Sequence, residues 1–376
     1  MKILFDCTFL RNRQTGVDVT FLSLIKNILK IDAINQYIIL TDHRFDTTVL
    51  RNQLKEYTNY KIVRIYCYYP IHIFISAFII PFYLLFNKID VYHNPYFFGP
   101  LFRISKTRVI ITVHDVYHKT IPEKMNGLIK FLLNNFAVPA VQRADKVIVI
   151  SEQTKSDVLK YYNILESKIS LIHNCIEPKL ATNSSQAKSI LENNNITANK
   201  YILNIGTMIR SKGIDDLIKA YHLLLNETSS YNDIKLVFAG INDNEYLNEI
   251  KELIKSLALP QSNIMFLGYV SNQDLIDLYK NAALYISPSY YEGFGLTVLE
   301  AMQYNCPVIA RNASSLPETI GNAGMLFNTV KELTEEVVEM LTNEVIRLEY
   351  IKRGHDQLAR FSCENRANRT LALYSS

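Results

Sequence analysis

Short runs of β-branched and aromatic residues alternate along this chain with segments whose apolar residues recur at helical spacing, and that alternation constrains the fold most. Residues 2–5, 37–40, 62–66, 91–93, 109–113 and 146–150 are strand-like runs of the kind buried on both faces of a sheet. Between them, Phe21, Leu24, Ile25, Ile28 and Leu29 repeat as one face of a helix. A second series follows at 201–205, 234–239, 264–267, 284–286 and 308–310, with helical patterns over 215–225 and 245–257. Strands alternating with helices predict parallel sheets in doubly wound α/β domains. The 376 residues suit about two such domains.

A polar stretch at 177–199, rich in Ser and Asn, marks the expected link between the halves. The expected boundaries are therefore 1–176, a linker over 177–199, a second domain over 200–355, and a C-terminal helix over 356–376 that returns to the first domain. Residues 330–374 read as helical throughout. In α/β sheets of this kind, ligands sit at the carboxyl ends of the strands.

Charge is unevenly spread. Residues 1–180 carry 23 Lys/Arg against 14 Asp/Glu, whereas the remainder carries 17 against 22. A basic first half suits an anionic partner such as a phosphate-bearing lipid or an acidic membrane surface, or it is ordinary surface variation. The five cysteines are scattered, odd in number and without a C-x-x-C pair. That spacing argues against a disulfide framework or a zinc site and fits a reducing cytoplasm. The opening MKILFDCTFLRNR breaks its apolar run with an acid, so it reads as a buried strand and not a signal peptide. Residues 71–86, IHIFISAFIIPFYLLF, are almost wholly apolar. They fall short of the roughly 18–20 residues needed to span a bilayer and include Pro81, so a buried or interfacial helix is expected.

The most informative stretch is 287–327, SPSYYEGFGLTVLEAMQYNCPVIARNASSLPETIGNAGMLF. Here Glu292 and Glu300 have seven residues between them, and Gly293 and Gly295 flank Phe294. A strand leads in and Leu296 opens a helical segment. Glycines between strand and helix let backbone approach a ligand, and the helix N-terminus offers N–H groups to a phosphate. Glu292, ahead of the helix, can hydrogen-bond sugar hydroxyls. Glu300, about a turn inside, can take the two hydroxyls of a ribose.

This stretch closely resembles the retaining family-4 glycosyltransferases of the two-Rossmann GT-B fold, and the resemblance runs along nearly the whole chain. It is carried in order by VYHNP (91–95), VHDVYHKTIPE (113–123), ADKVIVISEQTKSDV (144–158), SLIHNCIEP (170–178), LNIGTMIRSKGIDDLIKA (203–220), VFAG (237–240) and FLGYVSNQDL (266–275). The implied fold is two Rossmann-like domains facing across a cleft. Glu292 matches the glutamate that contacts the transferred sugar. Gly293, Phe294 and Gly295 match the backbone holding sugar hydroxyls, Leu296 and Thr297 the diphosphate site, and Glu300 the ribose-binding glutamate.

Lys212 matches the lysine that neutralises donor phosphates, suiting a leaving group that gains charge as the glycosidic bond breaks. Many relatives place an arginine where Thr207 stands, so Arg210 is the candidate substitute. His114 matches a histidine that contacts the donor sugar, with Asp115 orienting it or capping a turn. Gly16 matches a glycine whose backbone approaches donor or acceptor. No metal ligand set and no cofactor are implied, and Asp-x-Asp is absent.

The implied activity is metal-independent, retaining transfer of a hexose from a nucleoside diphosphate sugar, GDP-mannose first, onto a glycan acceptor. A lipid-diphosphate-linked surface polysaccharide intermediate is the expected acceptor, met at the inner face of the cell membrane by a cytoplasmic, peripheral enzyme. A nucleic-acid partner is not expected. Gly-x-Ser-x-Gly, His-Glu-x-x-His, the P-loop and the dinucleotide fingerprint after the first strand are all absent. A sugar-nucleotide epimerase of the same fold, or a non-catalytic assembly subunit, are the alternatives.

Overall fold

The computed structural model describes residues 1–10, 15–66, 71–103, 105–120, 127–177, 189–227, 229–241 and 244–375. Residues 178–188 of the expected link and 121–123 of the VHDVYHKTIPE stretch lie outside them. The chain forms two compact units, Met1–Cys175 with Phe361–Ser376, and Ile176–Arg360.

The first unit holds a seven-stranded parallel sheet of β1 (Lys2–Cys7), β2 (Gln36–Asp42), β3 (Tyr60–Ile65), β4 (Val91–Asn94), β5 (Arg108–Val113), β6 (Lys146–Val149) and β7 (Ile169–Leu171). The spatial order is β3-β2-β1-β4-β5-β6-β7, which reverses direction at β1 and β4. Alternate residues of β1 enter different cores. Ile3 and Phe5 pack with the helix Gly16–Ile31 and the C-terminal helix, while Leu4 joins Ile38, Leu40 and Leu84 on the other face. Burial on both faces is why these strands read as unbroken apolar runs. The helix Gly16–Ile31 starts at a reciprocal capping box between Thr15 and Asp18.

The second unit repeats the plan with β8 (Tyr201–Ile205), β9 (Lys235–Ala239), β10 (Ile264–Phe266), β11 (Leu284–Ser287), β12 (Val308–Arg311) and β13 (Met325–Phe327). Its order is β10-β9-β8-β11-β12-β13, all parallel, with the reversal between β8 and β11. Both units are therefore Rossmann-like.

Two expectations are corrected. The helical tail is broken into Val330–Thr342, Glu344–Ala359 and Cys363–Ser375, with Asn343 capping the second piece. Cys175 and Cys363 form a disulfide, although their separation of 188 residues gave no local signature. The pair meets because the last helix returns to the first unit, where Arg366 donates to the Thr20 carbonyl and Tyr374 meets His93. Residues 71–86 are helical, as expected, with some side chains buried and others exposed, and the helix is not regular. A π-helical turn, Ile75–Ile79, sits between Ile71–Phe74 and Ile80–Phe86. It ends two residues before Pro81, and another π turn, Leu133–Ala137, ends two residues before Pro139. A proline lacks the N–H for the regular ladder and crowds the preceding turn, so the widened turn absorbs it. Among the described residues, no helix is long and apolar enough to cross a membrane.

Candidate functional site

In the second unit, β11 delivers the chain into a loop that ends at Gly295, and the helix Leu296–Gln303 begins there. Gly295 has φ +92°, and a Cβ on it would lie 3.0 Å from the Leu316 side chain. The left-handed backbone angle therefore calls for glycine, and a Cβ would also press on the Leu316 methyl. Phe294 is buried, and its carbonyl accepts a hydrogen bond from Thr319. Gly293, Leu296 and Thr297 are half-buried on the same turn. The helix N-terminus carries backbone N–H groups of the kind that bind anions, with the Val298 N–H already donating to the Gly295 carbonyl at 3.1 Å.

A second loop is pressed against the first. After β8 the chain makes a short 3-10 turn, Arg210–Lys212, closed by Gly213 at φ +63°. A Cβ on Gly213 would sit 2.2 Å from the Pro288 carbonyl oxygen, and the Tyr290 N–H donates to the Ser211 carbonyl at 2.9 Å. This close approach carries Lys212 to Glu292, with Nζ 2.6 Å from Oε1.

Glu292 is held at several points. Ser289 donates to the same Oε1 at 2.8 Å. The Glu292 N–H donates to Ser314, and both Ser314 and Ser315 donate to the Glu292 carbonyl. Glu300, further along the helix, accepts a 3.0 Å hydrogen bond from Tyr279, whose phenol is pushed far up by burial and then by the Glu300 charge. Tyr285 donates to Thr297 Oγ1 at 2.7 Å. Both carboxylates are thus oriented by neighbours.

Arg210 lies apart from this pair. Its guanidinium meets Glu249 and stacks 5.5 Å from the Tyr246 ring centre. Sequence reasoning missed the residue that ties the loops together, Arg311 at the end of β12. Buried Arg311 donates to the Pro288 carbonyl at 2.8 Å and to Asp216 at 2.5 Å, and lies 4.1 Å over the Tyr290 ring. Tyr290 also donates to Asp216 at 2.5 Å. Burial works against ionisation of Asp216, but these hydrogen bonds and the Arg311 charge hold its carboxyl below the usual range. A signal existed in the arginine within the otherwise apolar run PVIAR.

In the first unit, His114 follows β5 directly and is buried. Its Nε2 has no hydrogen-bond partner among the described residues. Burial, then the charge of Arg366, lowers its pKa to about 3, so the ring is neutral at physiological pH. A buried ring nitrogen without a partner is a costly arrangement that a ligand hydroxyl would relieve. Gly16 is exposed at the start of the helix Gly16–Ile31. Among the described residues, no group of three or more His, Cys, Asp or Glu side chains could hold a metal ion.

Two parallel sheets of this order, with a glycine turn and helix N-terminus beside a Lys–Glu pair, define a nucleotide-sugar transferase of the GT-B class. Comparison with known proteins agrees. The family described as "Glycosyltransferase Family 4" matches residues 38–180, and "Glycosyl transferases group 1" matches 186–357. The chain belongs to these families of GT-B glycosyltransferases and is related to bacterial mannosyltransferases. It is 29% identical over 292 residues to the O-antigen chain mannosyltransferase B of Escherichia coli, covering 76% of this chain and 74% of that one. It is 30% identical over 243 residues to a serotype-specific mannosyltransferase, WbdA, of the same organism, covering 64% of this chain but only 29% of that longer one. A crystal structure of a glycosyltransferase from Rickettsia africae shares the fold with a TM-score of 0.71 at 21% identity, covering 99% of this chain and 97% of the other.

Proposed function

We propose that this enzyme transfers mannose from GDP-mannose, with retention, onto a lipid-linked glycan of a bacterial surface polysaccharide. The observation that carries the reading is Lys212 poised 2.6 Å from Glu292 beside the Gly293–Gly295 turn. A cation there pairs with the donor diphosphate, and the freed Glu292 carboxylate accepts hydrogen bonds from the sugar. Gly293, Phe294 and Gly295 give backbone to the sugar, Leu296 and Thr297 give N–H groups to the diphosphate, and Glu300 takes the ribose. The Gly16 backbone approaches donor or acceptor, the neutral His114 hydrogen-bonds the transferred sugar, and Arg210 reaches the diphosphate only on leaving Glu249.

In the reaction, the bond from the anomeric carbon to the phosphate oxygen breaks while an acceptor hydroxyl forms the new glycosidic bond on the same face. The acceptor proton passes to the departing phosphate, whose growing charge Lys212 and the helix N-terminus stabilise. The names of the E. coli relatives support mannose and a polysaccharide acceptor. A lipid-borne acceptor places the enzyme at the cytoplasmic face of the membrane.

A thermal-shift screen of GDP, UDP, ADP and their hexose conjugates tests the donor, because a ligand of the native state raises the melting temperature by mass action. GDP-mannose should give the largest shift, and transfer should survive EDTA. A larger shift with UDP-hexoses would replace the donor. Loss of transfer on chelation would end the metal-independent mechanism, and release of an epimerised sugar without acceptor would make the protein an epimerase.

A further inference from the structure

The helical segment of residues 71–86 divides its apolar side chains between two environments. Ile73, Ile75, Ile80 and Leu84 are buried in the first unit. Phe74, Phe78, Ile79, Phe82, Leu85 and Phe86 face outward, with Phe86 78% exposed. The helix beginning at Gly127 adds Leu128, Ile129 and Phe131, exposed by 61%, 37% and 57%. The helical run from Gly127 continues to Phe136, which touches the first group. Phe136 lies 5.5 Å from Phe74 and 6.4 Å from Phe78, and Phe102 lies 6.3 Å from Phe78 and 6.0 Å from Phe82, between ring centres. A soluble surface rarely shows so contiguous an apolar patch without a partner.

The chemistry around the ridge selects that partner. Residues 71–88 and 127–143 contain no Asp or Glu, but they include Lys88, Lys130 and Arg143. At the ridge's end, a cavity of about 630 Å³ is lined by Leu84 and Leu85 together with Lys88, Arg103 and Lys106. Asp90 also lines it, with its carboxylate engaged by the Lys2 N–H at 2.6 Å, and Arg103 is paired with Asp145. Lys88 and Lys106 are exposed at its mouth. An apolar ridge without carboxylates of its own, flanked by Lys88 and Lys106 with Asp90 as the one carboxylate among the cavity's lining residues, matches the boundary between acyl chains and anionic headgroups. A second copy fits worse, since face-to-face pairing would bring like charges together.

We propose that this face is a monotopic docking surface for a bilayer containing anionic phospholipid, with the phenylalanines entering the acyl boundary and a headgroup phosphate meeting Lys88 and Lys106. The inference rests on the reading of a lipid-borne acceptor for its purpose, though its geometry is independent of it. The segment lies in the interface without spanning, as no described helix is long enough to cross.

Co-sedimentation of the full chain with vesicles tests the surface. We expect binding to vesicles of equal parts phosphatidylcholine and phosphatidylglycerol, and weaker binding to phosphatidylcholine alone. The double variant Phe82→Ser/Phe86→Ser should lose affinity about tenfold or more. Lys88→Glu/Lys106→Glu should lose roughly fivefold per lysine on the anionic vesicles, and less in high salt. Val345→Ser/Leu348→Ser, on exposed positions of the helix Glu344–Ala359, should bind as the parent does. The GDP-induced thermal shift should be the same in all four proteins, which separates failure here from failure of the donor reading. Wild-type binding by the phenylalanine variant would overturn the proposal, as would an equal loss in the Val345/Leu348 control. So would self-association through the ridge without vesicle binding.

Discussion

Lys212 Nζ and Glu292 Oε1 stand 2.6 Å apart, on two loops held together by the contact of Gly213 with Pro288. The pair is partly shielded, with side chains 23% and 17% exposed. Each group therefore holds the other in place across the two loops, and in the proposed reaction a donor brings its own phosphate for the lysine and hydroxyls for the carboxylate.

Substituting either partner should affect different steps. Lys212→Ala removes the charge opposite the leaving phosphate and should lower kcat by about 100-fold. Glu292→Gln keeps the shape but replaces charge-assisted hydrogen bonds by neutral ones, so transfer should collapse while the melting temperature changes little. Steady-state kinetics with circular dichroism on each variant decide this, and wild-type turnover in Glu292→Gln would remove that residue from the site.

Arg311 is expected to act on the same loops from behind. Arg311→Met leaves the half-buried Asp216 carboxylate with Lys219 alone as a cation, 3.4 Å away, and loss of a hydrogen bond to a charged group costs about 1.5–3 kcal/mol. Because the Pro288 carbonyl is also released, the donor KM should rise. In the double variant Arg311→Met/Asp216→Leu no charge is stranded, so part of the stability should return. Denaturant titration of the cycle checks the coupling; additive losses would show that the two residues do not act as a unit.

The sequence made most strands legible because both faces of each sheet are buried, leaving runs such as VIITV with no polar interruption. The strands β7 and β13 were not anticipated. Each is three residues long and lies at a sheet edge, with largely half-buried side chains that leave little pattern. The glycine turn and its glutamates were readable because they are contiguous. Arg311 was not, since its partners Asp216 and Pro288 are distant in sequence and meet only after the sheet forms. In residues 71–86 every outward position is as apolar as its inward neighbour, so composition could not say which side chains would face water.

Protonation of buried histidines should make the first unit acid-sensitive. Burial, then the charge of Arg366, lowers His93 to about 3, and burial, then Lys119, lowers His118 to about 4. Both are neutral when folded, whereas in the unfolded chain they bind protons near pH 6.5. The unfolded state then holds more protons between those values, so stability is complete above about pH 6.5 and falls as pH drops towards the folded pKa. The melting temperature should decline from pH 7 to pH 5. His93→Gln, which removes one titrating ring, should flatten that decline while losing some stability at pH 7 through its contacts with Tyr374 and Thr112. An unchanged slope would mean that His93 is not among the groups responsible.

The Cys175–Cys363 disulfide supplies the last prediction. The bond closes a loop of 188 residues that contains the whole second unit, Ile176–Arg360, and it fixes the first turn of the returning helix. Closing so long a loop restricts the unfolded chain, and removing such a bond typically costs about 2–5 kcal/mol. The native helix has other anchors, because Ala367, Leu373 and Tyr374 belong to the first unit's core and buried Arg366 holds the Thr20 carbonyl. Cys363→Ser should therefore lower the melting temperature in non-reducing buffer, yet leave transfer activity at 25 °C nearly intact. Dithiothreitol should bring the parent down to the variant's melting temperature and leave the variant unmoved. If the parent and Cys363→Ser melt together without reductant, the bond does not contribute to stability, and the returning helix is held by packing and its hydrogen bonds alone.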